Sequence, residues 1–206
     1  MKNRTSQFLA IIFIVTSIAC EAQPTIPNKD AQIALAVLAA PEDKREQATV
    51  LGFDSENNIV ELRAGTNEFV CLGDNPQTDG INIAAYHKDL DPFMARGREL
   101  RAEGVGRQDI FDAREKEALA GTLKMPEGPT TLHILSGADG LFDEATSTLT
   151  GVKYRSVVYI PFATSESTGL PERPASPPGS PWIMFPGTHS AHIMISPPDP
   201  NETKEN

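Results

Sequence analysis

Cysteine is scarce in this chain: among 206 residues only Cys20 and Cys71 carry a thiol. If Cys20 is lipidated or removed with a leader peptide, Cys71 has no partner and no intramolecular disulfide can form. The sequence neighbours of Cys71 are apolar, and no base or cation stands beside it to favour the thiolate. We therefore expect Cys71 to be a buried, inert thiol, which disfavours a cysteine nucleophile.

Runs rich in lysine or arginine are also missing, and 28 Asp plus Glu outnumber 18 Lys plus Arg. Loss of Lys2 and Arg4 with a leader leaves 16 basic residues, so the net charge moves from −10 to about −12. An acidic surface repels phosphate backbones, and we expect no nucleic-acid partner. It repels anionic lipid headgroups too, so any membrane attachment should come through a lipid on Cys20.

Several signatures of known enzymes are lacking. The chain has no Gly-x-Ser-x-Gly elbow, no His-Glu-x-x-His helix and no glycine-rich phosphate loop ending in Lys-Ser or Lys-Thr. The Ser136–Gly140 segment lacks the acidic ladder of a calcium loop and is better explained as a turn. Glu115 and Glu117 stand two residues apart in a predicted helix, so their side chains diverge. Whether the chain is an enzyme stays open at this level.

The N-terminus carries the strongest pattern. Lys2 and Arg4 give a positive start, an apolar run covers residues 8–15, and small residues lead to Cys20. These are the three parts of a secretory signal peptide. The run is about half the length that a membrane-spanning helix needs, which is roughly 20 residues. We therefore predict a signal peptide over residues 1–20 and a periplasmic or secreted protein.

The processing of this signal has two open alternatives. The segment Ser17-Ile18-Ala19-Cys20 resembles a bacterial lipobox, although Ser17 stands where an aliphatic residue is usual. Ordinary signal peptidase could instead cut after Ala19 or Ala22, each of which has a small residue two positions earlier. Lipidation of Cys20 would make residues 21–28 a polar tether and would anchor the protein at an outer membrane.

The remaining pattern predicts a single α+β domain over residues 29–196, followed by a polar tail at 197–206. A helix over 30–40 ends at Pro41, and a central helix pair is predicted over 91–103 and 109–120. Three strands joined by short turns, at 48–53, 59–63 and 68–72, predict an antiparallel meander. Further strands are predicted over 81–86, 131–135, 156–162, 182–185 and 191–195, with a proline-rich loop at 169–181.

One segment within this domain has a resemblance. It runs Arg63-Ala64-Gly65-Thr66-Asn67-Glu68-Phe69-Val70-Cys71-Leu72-Gly73-Asp74-Asn75-Pro76, with the pattern R-x-G-T-N-x-F-x-C-L-x-D-x-P. It resembles a segment of uncharacterised bacterial secreted and lipoprotein-like proteins. The resemblance implies a secreted single-domain protein and brings no activity, ligand or catalytic residue.

The best candidate for chemistry is a segment with two histidines and two methionines, His189, His192, Met184 and Met194. Thioethers favour Cu(I) and imidazole binds copper or zinc, so these four residues form a candidate metal site. In a strand, His189 and His192 would point to opposite faces, and they converge only if residues 188–191 form a turn. The alternative is a pair of buried strands in which Met and His fill the core.

The other histidines have simpler explanations. His87 stands beside carboxylates before a predicted helix and could act as a general base. A capped helix start, with Asp89 or Asp91 accepting backbone N–H groups, explains the same pattern. His133 alternates with apolar residues and fits a strand position.

Two functions are compatible with these sequence features. The first is a noncatalytic envelope protein that binds a small ligand or a protein partner through the Gly73–Gly80 loop and the Gly169–Pro181 segment, without a cofactor. The second is a metal-binding protein or metal-dependent enzyme that uses His189 and His192, with copper or zinc.

Overall fold

A computed structural model describes residues 26–175 and 177–198, so the predicted leader, Cys20 and most of the tether and tail lie outside the described residues. The helices are Lys29–Ala36 (α1), Asp91–Ala102 (α2), Arg107–Leu119 (α3) and Ser165–Thr168 (α4). The first strands are Thr49–Phe53 (β1), Ile59–Arg63 (β2), Phe69–Leu72 (β3), Ile81–His87 (β4) and Thr130–Gly137 (β5). The later strands are Leu141–Asp143 (β6), Thr148–Thr150 (β7), Lys153–Tyr159 (β8), Trp182–Met184 (β9) and His192–Ile195 (β10). Within the described ranges, no helix has the length and apolarity that crossing a membrane requires.

One eight-stranded sheet organises the molecule, in the order β2-β1-β3-β4-β5-β8-β10-β9. Neighbouring strands are antiparallel except β1 and β3, which run parallel. The strands β6 and β7 form a separate hairpin that extends the β5–β8 connection. Helices and one large sheet in a single domain confirm the predicted α+β class.

The predicted meander of the first three strands is wrong in its order. β2 pairs with β1 at the edge of the sheet, and β3 lies on the other side of β1 instead of beside β2. The chain therefore crosses over between β2 and β3. The crossover is held by backbone bonds that Thr66 and Asn67 donate to the Gln47 carbonyl, at 2.8 and 3.2 Å.

The segment that carries the sequence resemblance builds this crossover. A Cβ on Gly65 would lie 2.1 Å from the Thr49 backbone nitrogen, so only glycine fits where the two stretches touch. The Arg63 guanidinium donates to the Ala48 and Arg45 carbonyls, and the Asn67 amide donates to the Lys44 carbonyl at 2.7 Å. These side chains satisfy backbone groups, so the Arg-x-Gly-Thr-Asn part of the segment has a structural role.

The sheet is covered on both faces because its strands alternate. On β3, Phe69 and Cys71 point to the face under α1, while Val70 points to the face under α2. The first face is dominated by small and aliphatic residues, and the second by aromatics such as Tyr86, Phe93 and Tyr159. Cys71 is fully buried, and burial raises the pKa of its thiol to about 12, as expected for an inert thiol.

Side-chain hydrogen bonds fix the first helix on the sheet. Asn28 caps α1 by accepting from the Ala31 N–H at 2.9 Å. Gln32, which is buried, donates to the Phe53 carbonyl at 3.0 Å and accepts from the Phe53 N–H at 2.8 Å. This paired bond closes the end of β1 and positions α1 across it.

The proline-rich segment after α4 has no regular structure over its described residues. The Pro171 carbonyl accepts from the Ile183 N–H at 2.9 Å, so the segment begins by pairing with the outer edge of β9. An exposed strand edge offers unpaired backbone groups to other chains. By accepting the Ile183 N–H, this loop satisfies one backbone group on the exposed edge of β9. Its remaining prolines, Pro174, Pro177, Pro178 and Pro181, are exposed.

Candidate functional site

The Met184–Met194 segment forms β9, a tight connection and β10. Thr188 donates to the Phe185 carbonyl at 3.2 Å, and Ala191 donates to the Thr188 carbonyl at 3.1 Å. The turn that the metal-site hypothesis required is therefore present. His189 lies inside this turn, whereas His192 is the first residue of β10.

Strand register places three of the four predicted ligands on one face. His192 pairs with Met184 across β9 and with Tyr159 across β8, and Met194 follows two residues later. Because side chains alternate along a strand, these residues share the face that α2 and α3 cover. Met194 packs against the core cluster of that face.

Six rings form a closed circuit of contacts at this end of the sheet, in the order His189, Phe93, Tyr159, His192, Phe185 and Phe111. Neighbouring ring centroids lie 4.8 to 5.9 Å apart, the spacing of tilted and edge-to-face pairs. His189 and His192 hold opposite positions in the circuit. Phe93 and Tyr159 connect them on one side, and Phe111 and Phe185 connect them on the other.

His189 is fully buried and faces α3. Its Nδ1 lies 3.3 Å from Oε2 of Glu115, and its Nε2 has no hydrogen-bond partner among the described residues. Burial lowers the pKa of His189, against the opposing effect of the Glu115 carboxylate. Glu117, two residues further along α3, pairs instead with Arg96 at 2.8 Å, so the two glutamates diverge as predicted.

Arg114 supports the same ring circuit from α3. Its guanidinium carbon lies 3.9 Å from the centre of the Phe93 ring, a cation–π contact, and Nη1 donates to the Phe93 carbonyl at 3.2 Å. Gly97 makes room for it, since a Cβ there would lie 2.9 Å from Nη1. The Nε of Arg114 is buried and has no partner in the part of the chain that the structure describes.

The His192 ring is oriented by its own backbone. Its Nδ1 lies 2.7 Å from the Ser190 carbonyl oxygen, which can only accept, so Nδ1 carries the proton. The lone pair of the neutral ring is then on Nε2. Burial lowers the pKa of His192 and favours this neutral form.

Two phenylalanines beside the circuit have strained backbones. Phe162 has a φ of 63° and Phe185 a φ of 52°, in the left-handed region that bulky residues avoid. Both rings are partly exposed, at 39% and 45%. Phe162 donates to the Thr188 carbonyl at 2.8 Å, and Gly187 donates to the Ala163 carbonyl at 2.7 Å. These bonds join the two loops and hold both residues in the strained conformation.

The other two histidines lie elsewhere. Nδ1 of His87 accepts from the Asp89 N–H at 3.2 Å and caps a short 3₁₀ turn before α2, so His87 performs the capping predicted for Asp89 or Asp91. His133 lies on the opposite face of the sheet, where Nδ1 is 2.7 Å from the Tyr154 hydroxyl. His87 lines a separate small cleft with Thr130 and lies away from His189 and His192. The structure therefore does not combine the proposed general base His87 with the other two histidines.

Within residues 26–175 and 177–198, His, Cys, Asp and Glu side chains form no group of three or more that could hold a metal ion. Methionine is not among those residue types. The geometry brings Met184, His192 and Met194 to one face, and it directs His189 toward α3.

A second site lies at the other end of the same face, and sequence reasoning missed most of it. An open cleft of about 460 Å³ is lined by polar and charged side chains, among them Asp79, Asn82, Ser136, Asp139, Lys153 and Arg155. Register explains the grouping, since Asn82 on β4 pairs with Ser136 on β5, which pairs with Lys153 on β8. The only part of the cleft that the sequence indicated is the Gly73–Gly80 loop, which supplies Asp79.

Glycines allow the backbone segments around this cleft to lie close together. A Cβ on Gly137 would lie 1.9 Å from the Gly151 carbonyl oxygen, and a Cβ on Gly80, whose φ is 76°, would lie 2.3 Å from the Gly137 carbonyl oxygen. Three segments therefore approach more closely than side chains would allow.

No family model, curated protein or solved structure matches the chain.

Proposed function

We propose that the protein is an exported, noncatalytic binding protein that takes a small zwitterionic ligand, an amino acid or a short peptide, in the cleft beside the Gly73–Gly80 loop. The observation that carries the proposal is the charge arrangement of the lining. Lys153 and Arg155 stand on β8, and Asp79 and Asp139 stand on the turns that precede β4 and follow β5. A ligand with one carboxylate and one ammonium group matches both pairs.

The size and chemistry of the cleft support binding. Its volume of about 460 Å³ lies within the usual range for small-molecule sites. Ser136 provides a hydroxyl group in the lining, and its Oγ accepts a hydrogen bond from the Arg155 guanidinium at 3.3 Å. Among the described residues, no histidine lines the cleft, so Ser136 lacks the imidazole base of a serine–histidine pair, which favours recognition over nucleophilic catalysis.

The test measures ligand binding to the mature protein with the standard amino acids and glycylglycine as probes. Thermal unfolding is recorded with each probe, and any hit is followed by calorimetric titration. We expect a saturable rise in Tm with at least one probe, because a ligand that binds only the folded state stabilises it.

Variants of the cleft decide whether the binding occurs there. Arg155→Ala and Asp79→Asn should each weaken binding by about tenfold or more, which is ~1.4 kcal/mol. Arg173→Ala removes the same charge from the exposed proline-rich segment and should leave the affinity unchanged. The proposal fails if no probe raises the Tm, or if Arg155→Ala and Arg173→Ala behave alike.

A further inference from the structure

We propose that Met184, His192 and Met194 form a Cu(I)-binding site on the α2/α3 face, separate from the ligand cleft. The juxtaposition comes from strand register. Met184 and His192 are direct partners across the antiparallel pair β9–β10, and Met194 is the next residue on that face of β10. Directly opposed residues have Cβ atoms about 4.5–5.5 Å apart, close enough for both side chains to reach one ion.

The imidazole is prepared for a metal. The Ser190 carbonyl accepts a hydrogen bond from the Nδ1–H of His192, so the Nε2 lone pair is free to bind a metal ion. A metal-binding histidine commonly has its other nitrogen fixed in this way by a carbonyl or a carboxylate. The centroids of the Tyr159 and Phe185 rings lie 5.1 and 5.9 Å from that of the imidazole, and these neighbouring rings limit its rotation.

The donor set selects the ion. Thioether sulfur is a soft ligand that favours Cu(I) and binds zinc, calcium or magnesium poorly, and neutral imidazole also binds copper, so two thioethers with one imidazole suit Cu(I). The site is also partly enclosed, since His192 is buried and Met184 and Met194 are half-buried. A low-coordinate ion can therefore sit there with limited access for water.

His189 is not a ligand in this proposal. It lies in the turn before β10, its Nδ1 faces Glu115, and its ring packs against Phe93 and Phe111 of the two helices. The inferred set is thus smaller than the four residues that the sequence indicated. It also differs in chemistry, because one imidazole and two thioethers remain.

The experiment titrates the mature protein with Cu(I) under anaerobic conditions, in competition with a chromogenic Cu(I) chelator. Cys20 is replaced by serine where the mature chain begins with it, and Cys71, whose thiol is buried and inert, is retained. We expect transfer of a single copper ion from the chelator. Met184→Leu and Met194→Leu should each weaken Cu(I) binding by at least about tenfold. Leucine is close to methionine in volume, so the fold is retained.

Matched controls use the other half-buried methionines of the same core cluster, Met94 and Met125. Met94→Leu, Met125→Leu and His189→Phe should each leave Cu(I) affinity unchanged. Near-ultraviolet circular dichroism verifies that each variant is folded. Failure of the protein to take copper from the chelator, or equal losses in the control and site variants, would overturn the proposal. Neither result bears on ligand binding in the cleft, which is measured without metal.

Discussion

Histidines that the fold removes wholly or partly from water are the residues whose charge it controls most directly: His189 and His192 are buried, and His133 is half-buried. His133, His189 and His192 all have pKa values lowered by burial, since each loses hydration that would stabilise its protonated form. In the unfolded chain a histidine titrates near pH 6.5. Between that value and the lower folded pKa, the unfolded chain binds more protons than the folded one. Acidification through this window therefore favours unfolding.

The first prediction concerns His192→Phe. We expect the free energy of unfolding of the wild-type protein to fall as the pH is lowered from 7.5 to 5. The free energy of unfolding of the variant should fall less steeply, with a slope smaller by at most ~1.4 kcal/mol per pH unit, because one titrating group is gone. The stability that the neutral His192 contributes to the fold is complete above about pH 6.5. It is lost as the pH falls from there through the lower pKa of the folded state. Urea unfolding at several pH values measures this, and identical slopes would contradict it.

The elements show where sequence reasoning succeeds and where it stops. Alternation of apolar and polar residues located β2 over residues 59–63, as the structure has it, and Asp91-Pro92 located the start of α2. The order of β1, β2 and β3 was not encoded locally. It depends on contacts between Arg63 or Asn67 and a stretch some twenty residues earlier in the chain.

The sites follow the same rule. The Met184–Met194 segment was found because its residue types are unusual and close together in sequence. Glu115 and Phe111 were not associated with it, since α3 lies more than seventy residues away in the chain. The cleft was missed because its polar side chains come from three separated parts of the chain, residues 79–82, 136–139 and 153–155. No local pattern marks such a set.

The second prediction tests the crossover between β2 and β3. Gly65→Ala places a methyl group against the Thr49 backbone, which no side-chain rotation can relieve. We expect a loss of roughly 1–3 kcal/mol in the free energy of unfolding, the usual cost of overpacking. Chemical denaturation measures the loss.

Gly128→Ala is the matched control, because a Cβ at Gly128 has open space around it. It should leave stability unchanged or raise it slightly, by restricting the unfolded chain. Equal stabilities for the Gly65→Ala and Gly128→Ala proteins would show that the crossover tolerates a side chain.

At the scale of the whole molecule, the third prediction concerns the leader. The signal pattern predicts cleavage after Ala19 or after Ala22, so we expect the mature protein to begin at Cys20 or Gln23. Intact-mass spectrometry of protein recovered from the producing cell gives the start residue. Acyl mass on Cys20 would identify a lipoprotein, and a start at Gln23 would exclude one. A chain that retains Met1 would contradict export.

The strand order has one more consequence for the molecule. The strands before α2 form one half of the sheet, the strands after α3 form the other, and the two halves meet only where β4 pairs with β5. The chain between α3 and β5 passes through exposed residues around Gly121. A cut there leaves two fragments, each with a four-stranded half-sheet and part of the aromatic core. Each fragment would expose the strand edge and the apolar surface that the other one covers. We therefore expect the two fragments to regain structure only when they are mixed, which is the property that a split-protein reporter uses.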